Sequence, residues 1–203
     1  CHGLDLRNAK RVPRKRWLAR RILRAARRVI VNSTFTATIA EALGAPLDRI
    51  ITIPPPLGVT PAMRSQDASD VRAAVGIGAV DWVIVSVGRL VERKGFDILI
   101  RAVAMARRAS PSAPIVLVIV GTGPEREKLQ DIAETVGVDV RWVGDADDGM
   151  LASWYAACDC FALLPHELPD GDVEGFGFVY LEEGAFGKPV IGSRVGGVPE
   201  AIG

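Results

Sequence analysis

Two carboxylates frame a glycine-rich turn in the segment Glu174-Gly-Phe-Gly-Phe-Val-Tyr-Leu-Glu182, where they stand eight positions apart. Gly175 and Gly177 allow backbone amides to come close to a ligand, and the apolar run from Phe178 predicts the opening of a helix. Free N–H groups at that helix start would face a diphosphate, while the carboxylates would accept hydrogen bonds from sugar and ribose hydroxyls. The pattern predicts a nucleotide-sugar site; a buried strand-turn-helix with solvated glutamates is the structural alternative.

Two cations follow an apolar strand further upstream. Val83-Ile-Val-Ser-Val runs into Gly88-Arg89, and Lys94 follows five residues after the arginine. In open α/β sheets, ligands bind at the C-terminal ends of strands, where a guanidinium and an ammonium would neutralise a pyrophosphate leaving group. The alternative is that Arg93 and Lys94 cover a helix start in solvent, but cations at the positive end of a helix are unfavourable unless an anion offsets them.

Strands and helices that alternate regularly must position these residues. From Trp82 onward, strands are predicted at 82–88, 115–120, 139–143, 160–164 and 189–193, and helices at 95–108, 124–136, 148–157 and 178–186. Apolar runs such as Ile115–Val120 are typical of a parallel sheet covered on both faces. Upstream, helices are predicted at 12–28 and 36–43, with Asn32 or Ser33 as a cap, strands at 29–32 and 49–53, and a short helix at 68–75.

Three consecutive prolines at 54–56 form a stiff extended connector and predict the boundary between two domains. We therefore expect residues 1–56 to belong to one domain and residues 57–203 to another.

In combination these segments resemble the family 4 retaining glycosyltransferases of the GT-B fold, from about residue 29 to the end of the chain. Five separated motifs occur in the family's order: Gly88-Arg89 with Lys94-Gly95, Val120-Gly-Thr-Gly-Pro124, Trp154-Tyr155 with Asp159, Glu174 with Glu182, and Gly196-Gly-Val-Pro-Glu200. The resemblance implies an α/β fold with a doubly wound, parallel, Rossmann-like sheet in the donor domain. It also implies that residues 1–56 are the incomplete C-terminal part of an acceptor-side domain, the tail of a second Rossmann-like domain. Residues 57–203 would be the nucleotide-sugar donor domain, truncated at its C-terminus. Because such an enzyme needs most of its first domain, the resemblance implies that this fragment alone is inactive.

The resemblance also assigns roles to individual residues. Arg89 and Lys94 would hold the donor diphosphate, Glu174 would contact the transferred sugar, and Glu182 would contact the ribose. The opening Cys1-His2-Gly resembles the family's His-Gly loop, so His2 would face the acceptor or the reacting sugar. The implied catalytic residues are Arg89, Lys94, Glu174 and His2, and the implied donor-binding residues are Gly88, Arg89, Lys94, Glu174, Gly175, Phe176, Gly177, Phe178 and Glu182.

The implied activity is transfer of a hexose from a nucleoside-diphosphate sugar to a hydroxyl acceptor with retention of anomeric configuration. No aspartate cluster of metal-binding spacing lies near the predicted site, and no cofactor is expected, so cations and amides must stabilise the departing diphosphate. Leu164-Pro165-His166 and the longer 167–173 segment depart from the common family pattern. They resemble the subset that mannosylates lipid carriers or polysaccharide intermediates, which points to GDP-mannose ahead of a UDP-sugar. Thr60, where the family usually has an aspartate, affects local turn geometry.

Charge is concentrated at the N-terminal end. Residues 1–28 hold 11 of the 25 Lys and Arg and a single acid, Asp5, whereas the whole chain has a net charge of +1. Apolar residues interleave with these cations, so a basic helix could lie on anionic lipid headgroups. An ordinary surface helix whose cationic stems cover apolar neighbours is the alternative. Nucleic acid is not an expected partner, because no aromatic stacking platform accompanies the charge.

Other features restrict the function classes and the compartment. Cys1, Cys158 and Cys160 form an odd set without paired spacing, which favours core packing over zinc binding and fits a reducing cytosol. No apolar run approaches the roughly 18 residues of a membrane span, so the expected location is cytoplasmic, including the periphery of the inner face of the plasma membrane.

The sequence can be compared with four rival functions: a dehydrogenase, a P-loop ATPase, a catalytically silent GT-B module and a sugar-nucleotide epimerase. The turn at Gly121-Thr-Gly123 has Arg126 in place of a third glycine, which disfavours a dehydrogenase, and no phosphate-loop motif occurs. A catalytically silent GT-B module and a sugar-nucleotide epimerase are the remaining alternatives. The presence of both cations and both glutamates argues against a GT-B module that has lost its active site.

Overall fold

The computed structural model describes residue 6 and residues 12–203. The described helices are α1 Pro13–Ala25, α2 Thr34–Ala42, α3 Ala68–Ala74, α4 Phe96–Ala109, α5 Arg126–Val136, α6 Asp148–Ala157, α7 Phe178–Gly184 and α8 Val198–Ile202. The described strands are β1 Val29–Val31, β2 Ile50–Thr52, β3 Trp82–Val87, β4 Ile115–Val120, β5 Val140–Gly144, β6 Cys160–Leu163 and β7 Val190–Gly192. Short 3₁₀ turns occupy Leu47–Arg49, Pro61–Met63 and Glu92–Lys94.

A five-stranded parallel sheet forms the centre of the larger unit, with strand order β5-β4-β3-β6-β7. All four residues of β6 and nearly all of β3 are buried, as expected of strands covered on both faces. The chain builds outward from β3 through β4 to β5 and then crosses back to β6. Because such crossovers are right-handed, this reversal places α4 and α5 on one face and α6 and α7 on the other.

A smaller unit precedes this sheet. Strands β1 and β2 pair in parallel, with Ile30 opposite Ile51, and a separate core of buried residues includes Val29, Val31, Ala40 and Leu43. The Ser33 hydroxyl caps α2 by accepting the N–H of Thr36 at 2.9 Å, as the sequence predicts. The described residues thus form two separate hydrophobic cores, and the division into two domains at residues 56 and 57 stays a prediction.

Most predicted elements are present with ends shifted by one to three residues. Helix α5 begins at Arg126 because a turn over residues 123–126 comes first, and α1 ends at Ala25. The 3₁₀ turn at Glu92–Lys94 and the short α8 lie outside the predicted helices. Cys158 and Cys160 are free and buried, which confirms core packing. Within the part of the chain that the structure describes, no helix combines the length and apolarity needed to cross a membrane.

Candidate functional site

The candidate site lies at the C-terminal edge of the large sheet, between β3 and β6. These two strands are neighbours, but the chain leaves β3 in one direction and reaches β6 only after crossing back from β5. The loops that follow such neighbours diverge and leave a crevice, which is where open α/β sheets bind ligands. The loop after β3 carries Gly88 to Lys94, and the loop after β6 carries residues 164–177.

Lys94 and Glu174 meet across this crevice. The Lys94 ammonium lies 2.5 Å from Oε2 of Glu174, and both side chains are only 12% exposed. Arg93 reaches the same oxygen, with Nη1 at 2.9 Å, and its Nε lies 3.4 Å from Asp172. Two cations and two carboxylates therefore form one partly buried network that spans the loops after β3 and β6.

The network changes the titration of Glu174. Burial alone would raise the pKa of Glu174, but the neighbouring Lys94 and Arg93 lower that pKa below its ordinary value. The carboxylate is therefore ionised at neutral pH and can only accept hydrogen bonds. An ionised acceptor of this kind suits the hydroxyl groups of a sugar.

Backbone packing brings the two loops together. Gly95 has φ +66°, and a Cβ atom there would lie 1.8 Å from the carbonyl oxygen of Leu164, so only glycine fits. On the other side, the backbone at Gly196 and Gly197 packs directly against the carbonyls of Glu174 and Gly175, and the Gly197 N–H donates to Glu174 O at 3.1 Å. These close approaches hold Glu174 opposite Lys94.

A cavity of about 460 Å³ opens at the C-terminal ends of β3, β4 and β5, and Gly88 in its lining lies next to the Lys94 side chain. Arg89 lines it together with Gly88, the 121–123 turn and residues that follow β5. A Cβ atom at Gly121 would lie 2.1 Å from the carbonyl oxygen of Gly88, and one at Gly123 would lie 2.4 Å from that of Leu90. These glycines therefore allow two loops to pack closely, which is a structural reason for the glycine-rich turn without a dinucleotide.

Glu182 lies on α7 and makes different contacts. Its Oε2 accepts a hydrogen bond from the Tyr155 hydroxyl at 3.0 Å, and its carboxylate also accepts the backbone N–H of Val59. Burial raises the pKa of Glu182, and the Tyr155 hydrogen bond partly opposes that rise. Glu182 thus links α7 to α6 and to the segment that connects the two units.

The segment between the two glutamates forms the turn into α7. Gly177 has φ +91° and is the residue before the first turn of the helix. Phe176 is buried, Phe178 is 39% exposed, and their rings lie 5.9 Å apart between centroids. The carbonyl of Gly175 accepts the Ser33 hydroxyl at 3.1 Å, so the turn also contacts the smaller unit.

Comparison with known proteins identifies the family. The family model described as "Glycosyl transferases group 1" matches residues 67–203, which includes the whole crevice between β3 and β6. The chain belongs to this family. Among its relatives, a GDP-mannose-dependent alpha-(1-6)-phosphatidylinositol monomannoside mannosyltransferase of Mycolicibacterium smegmatis is 37% identical over 196 residues, which cover 94% of this chain and 50% of that protein. A D-inositol 3-phosphate glycosyltransferase of Segniliparus rotundus is 33% identical, covering 86% of this chain and 38% of that protein.

Solved structures of glycosyltransferases share the architecture. The crystal structure of Anabaena Alr3699/HepE in complex with UDP and glucose superposes with a TM-score of 0.77 at 25% identity, covering 97% of this chain and 52% of that one. The α/β GT-B fold that the motifs imply is confirmed, with one parallel Rossmann-like sheet and part of a second. The chain spans about half or less of the length of the two relatives named above.

The structure brings some of the predicted site residues together and separates others. Lys94 and Glu174 are in direct contact, and Gly88 lies beside the Lys94 side chain. Arg89 lines the adjacent cavity, whereas Glu182 is held by Tyr155 and Val59. His2 lies outside the described residues. The donor-binding and catalytic roles of all these residues stay predictions.

Sequence reasoning missed two members of the network. The sequence pattern predicts only a solvent-exposed cation for Arg93 and a place in a longer loop for Asp172. Their side chains are about three-quarters buried and contact each other across the crevice. Their proximity to Lys94 and Glu174 in the sequence was the available signal, but the pairing itself depends on how the two loops meet. No grouping of three or more candidate metal ligands occurs among residues 12–203.

Proposed function

We propose that this chain carries the donor site of a retaining glycosyltransferase that moves a hexose from a nucleoside-diphosphate sugar to a hydroxyl acceptor. The observation that supports this most is the contact between Lys94 and Glu174 at the strand-order reversal, beside the cavity that Arg89 lines. A cation and an anion at that place match the two ends of an activated sugar. The cations would bind the diphosphate, and the carboxylate would accept hydrogen bonds from the sugar hydroxyls.

The reaction requires charge compensation at the leaving group. The bond between the anomeric carbon and the diphosphate oxygen breaks, and the acceptor oxygen bonds to that carbon on the same face. The departing diphosphate gains one negative charge, and the acceptor hydroxyl releases one proton, so the total charge is unchanged. Arg89 and Lys94 would stabilise the departing diphosphate, which is the largest contribution that a preorganised site can make. Glu174 would orient the sugar through its hydroxyls.

We propose GDP-mannose as the donor. The relatives from Mycolicibacterium smegmatis and Corynebacterium glutamicum are both named as GDP-mannose-dependent, and they are 37% and 39% identical to this chain. A UDP-sugar is the alternative, because the Anabaena structure contains UDP and glucose. The role of Glu182 as a ribose ligand, with the amides of Gly175, Phe176, Gly177 and Phe178 around sugar and phosphate, belongs to the same proposal.

We propose a lipid-linked hydroxyl acceptor at an anionic membrane surface, reached from the cytoplasmic side. Helix α1 has six basic and no acidic residues, and Trp17 and Ile22 are 60% and 59% exposed. The Arg21 guanidinium lies 4.9 Å from the Trp17 ring centroid. Cations beside exposed apolar side chains are the combination that binds anionic interfaces. Names of relatives that act on phosphatidylinositol monomannoside support a lipid acceptor.

Product analysis tests the activity. The intact protein is incubated with GDP-mannose or UDP-glucose and with lipid extracts, and products are separated into transferred sugar and altered nucleotide. Sugar transfer from GDP-mannose, lowered ~10²-fold in Lys94→Met and unchanged in the matched control Arg101→Gln, is expected. Isomerised nucleotide without transfer would indicate an epimerase, and binding without either product would indicate a silent module.

Vesicle flotation tests the membrane proposal. The intact protein is expected to float with vesicles of phosphatidylglycerol and phosphatidylcholine but not with phosphatidylcholine alone. Trp17→Ser combined with Ile22→Ser should reduce flotation, whereas Met105→Ser, which removes an exposed apolar side chain from α4, should not. Equal flotation of all variants would contradict a role for α1.

A further inference from the structure

Arg93 makes three contacts that join the loops on either side of the crevice. Its Nη1 donates to Oε2 of Glu174 at 2.9 Å, and its Nε pairs with Asp172 at 3.4 Å. Its backbone carbonyl accepts the N–H of His166 at 3.1 Å. Main chain and side chain together tie the turn after β3 to the 166–174 segment.

Lys94 and Arg93 differ in the number of carboxylates that each contacts: Lys94 contacts Glu174, and Arg93 contacts both Glu174 and Asp172. Oε2 of Glu174 is shared by both cations. If the donor diphosphate takes Lys94, as proposed above, Glu174 loses one of its two cations. Arg93 can remain with Glu174 because its fork also holds Asp172, and a guanidinium is suited to two acceptors at once.

We propose that Arg93 is a positioning residue for the donor sugar: it holds Glu174 ionised and in place when Lys94 moves to the diphosphate, and it couples the Asp172 loop to that site. This inference rests on the proposed function. Without Arg93, movement of Lys94 to the diphosphate would leave the Glu174 carboxylate without either of its two cations beside an incoming anion. Like charges in a partly buried site raise the cost of binding.

A double-mutant cycle in the intact protein tests this role. Arg93→Gln, Glu174→Gln and the double variant are compared by kcat/KM for GDP-mannose, with Arg101→Gln as the matched control. Arg93→Gln is expected to lower kcat/KM about 10- to 100-fold, the range of a lost charge-assisted hydrogen bond. The double variant should fall within about 2-fold of Glu174→Gln, because Arg93 acts through that carboxylate. Arg93→Lys, which keeps the charge without the fork, should be intermediate.

The pH profile separates positioning from a merely structural role. Loss of Arg93 removes a cation from Glu174, so the acidic limb of kcat/KM should move to higher pH in Arg93→Gln and should be absent in both variants that lack the carboxylate. A purely structural role would lower the melting temperature and leave that limb in place. Additive effects in the cycle, or Arg93→Gln behaving like Arg101→Gln, would overturn the inference while an active wild type upheld the function. An inactive wild type would overturn both.

Discussion

The buried side chain of Glu183 is expected to make the stability of the protein depend on pH. Its side chain is 0% exposed on α7, the Cys158 thiol donates to Oε1 at 2.9 Å, and Oε2 has no hydrogen-bond partner in the structure. Burial raises the pKa of Glu183 from an ordinary 4.5 to about 7, opposed in part by the Cys158 hydrogen bond and by the charge of Lys188. A buried carboxyl group with so few partners is compatible with the fold in its neutral, protonated form, and its ionised form destabilises the fold.

The sign and size follow from proton linkage. Between about pH 4.5 and about pH 7 the folded protein binds more protons at Glu183 than the unfolded chain does, so the free energy of unfolding falls as the pH rises through this window. One pKa unit corresponds to about 1.36 kcal/mol, so the full interval corresponds to about 3 kcal/mol. Glu183→Gln keeps an oxygen for Cys158 and removes the charge. The free energy of unfolding of Glu183→Gln should therefore be up to about 3 kcal/mol higher than that of wild type at pH 8, and nearly equal to it at pH 4.5.

Urea unfolding of the intact protein at several pH values measures this effect. The exposed Glu127 on α5 offers a matched control, since Glu127→Gln changes the same chemical group in solvent. The difference between Glu183→Gln and Glu127→Gln should grow from pH 4.5 to pH 7 and then level off. A constant difference across this range, or a less stable Glu183→Gln at pH 8, would refute the reasoning.

Three further predictions concern the site and the contact between the two units. Arg89→Ala should lower turnover ~10²-fold or more in a transfer assay; near-normal rates would remove Arg89 from the diphosphate site. Glu182→Gln should weaken nucleotide affinity by calorimetry, and unchanged affinity would limit Glu182 to its contact with Tyr155. Glu200 accepts the N–H groups of Thr34 and Phe35 at 2.6 and 2.7 Å, so Glu200→Ala should speed hydrogen exchange at these amides, and unchanged exchange would show that the contact contributes little.

The sequence predicted the elements well where burial alone decides them. Apolar runs such as those of β3 and β4 are buried on both faces, so they indicate strands without any alternating pattern. The 3₁₀ turn at Glu92–Lys94 was not predicted, because a single turn of three residues has no periodicity to detect. The doubly wound sheet was implied by the family resemblance, and the pairing of β6 with β3 came from the structure, since no local pattern in the sequence predicts it.

The site could be predicted in its residue types but not in its pairing. Lys94 and Glu174 were named from motif and spacing, and the structure places them in contact. Arg93 was missed because its partner lies 81 residues away, and the contact depends on the close backbone approach at Gly95. Conversely, Glu182 was expected near the same ligand, and its bonds to Tyr155 and Val59 could not be read from a helix pattern.

Calorimetric titration with GDP-mannose and with GDP tests most directly whether the crevice binds both the diphosphate and the sugar of the donor. Glu174→Gln should bind GDP at least as tightly as wild type, because the nucleotide depends on Arg89, Lys94 and the adjacent cavity and no longer competes with the Glu174 carboxylate for Lys94. Glu174→Gln should lose about 10-fold or more in affinity for GDP-mannose, as expected when a charged acceptor no longer meets the sugar hydroxyls. Equal affinity of wild type and variant for GDP-mannose, or an equal loss for both ligands, would contradict the assignment of Glu174 to the sugar.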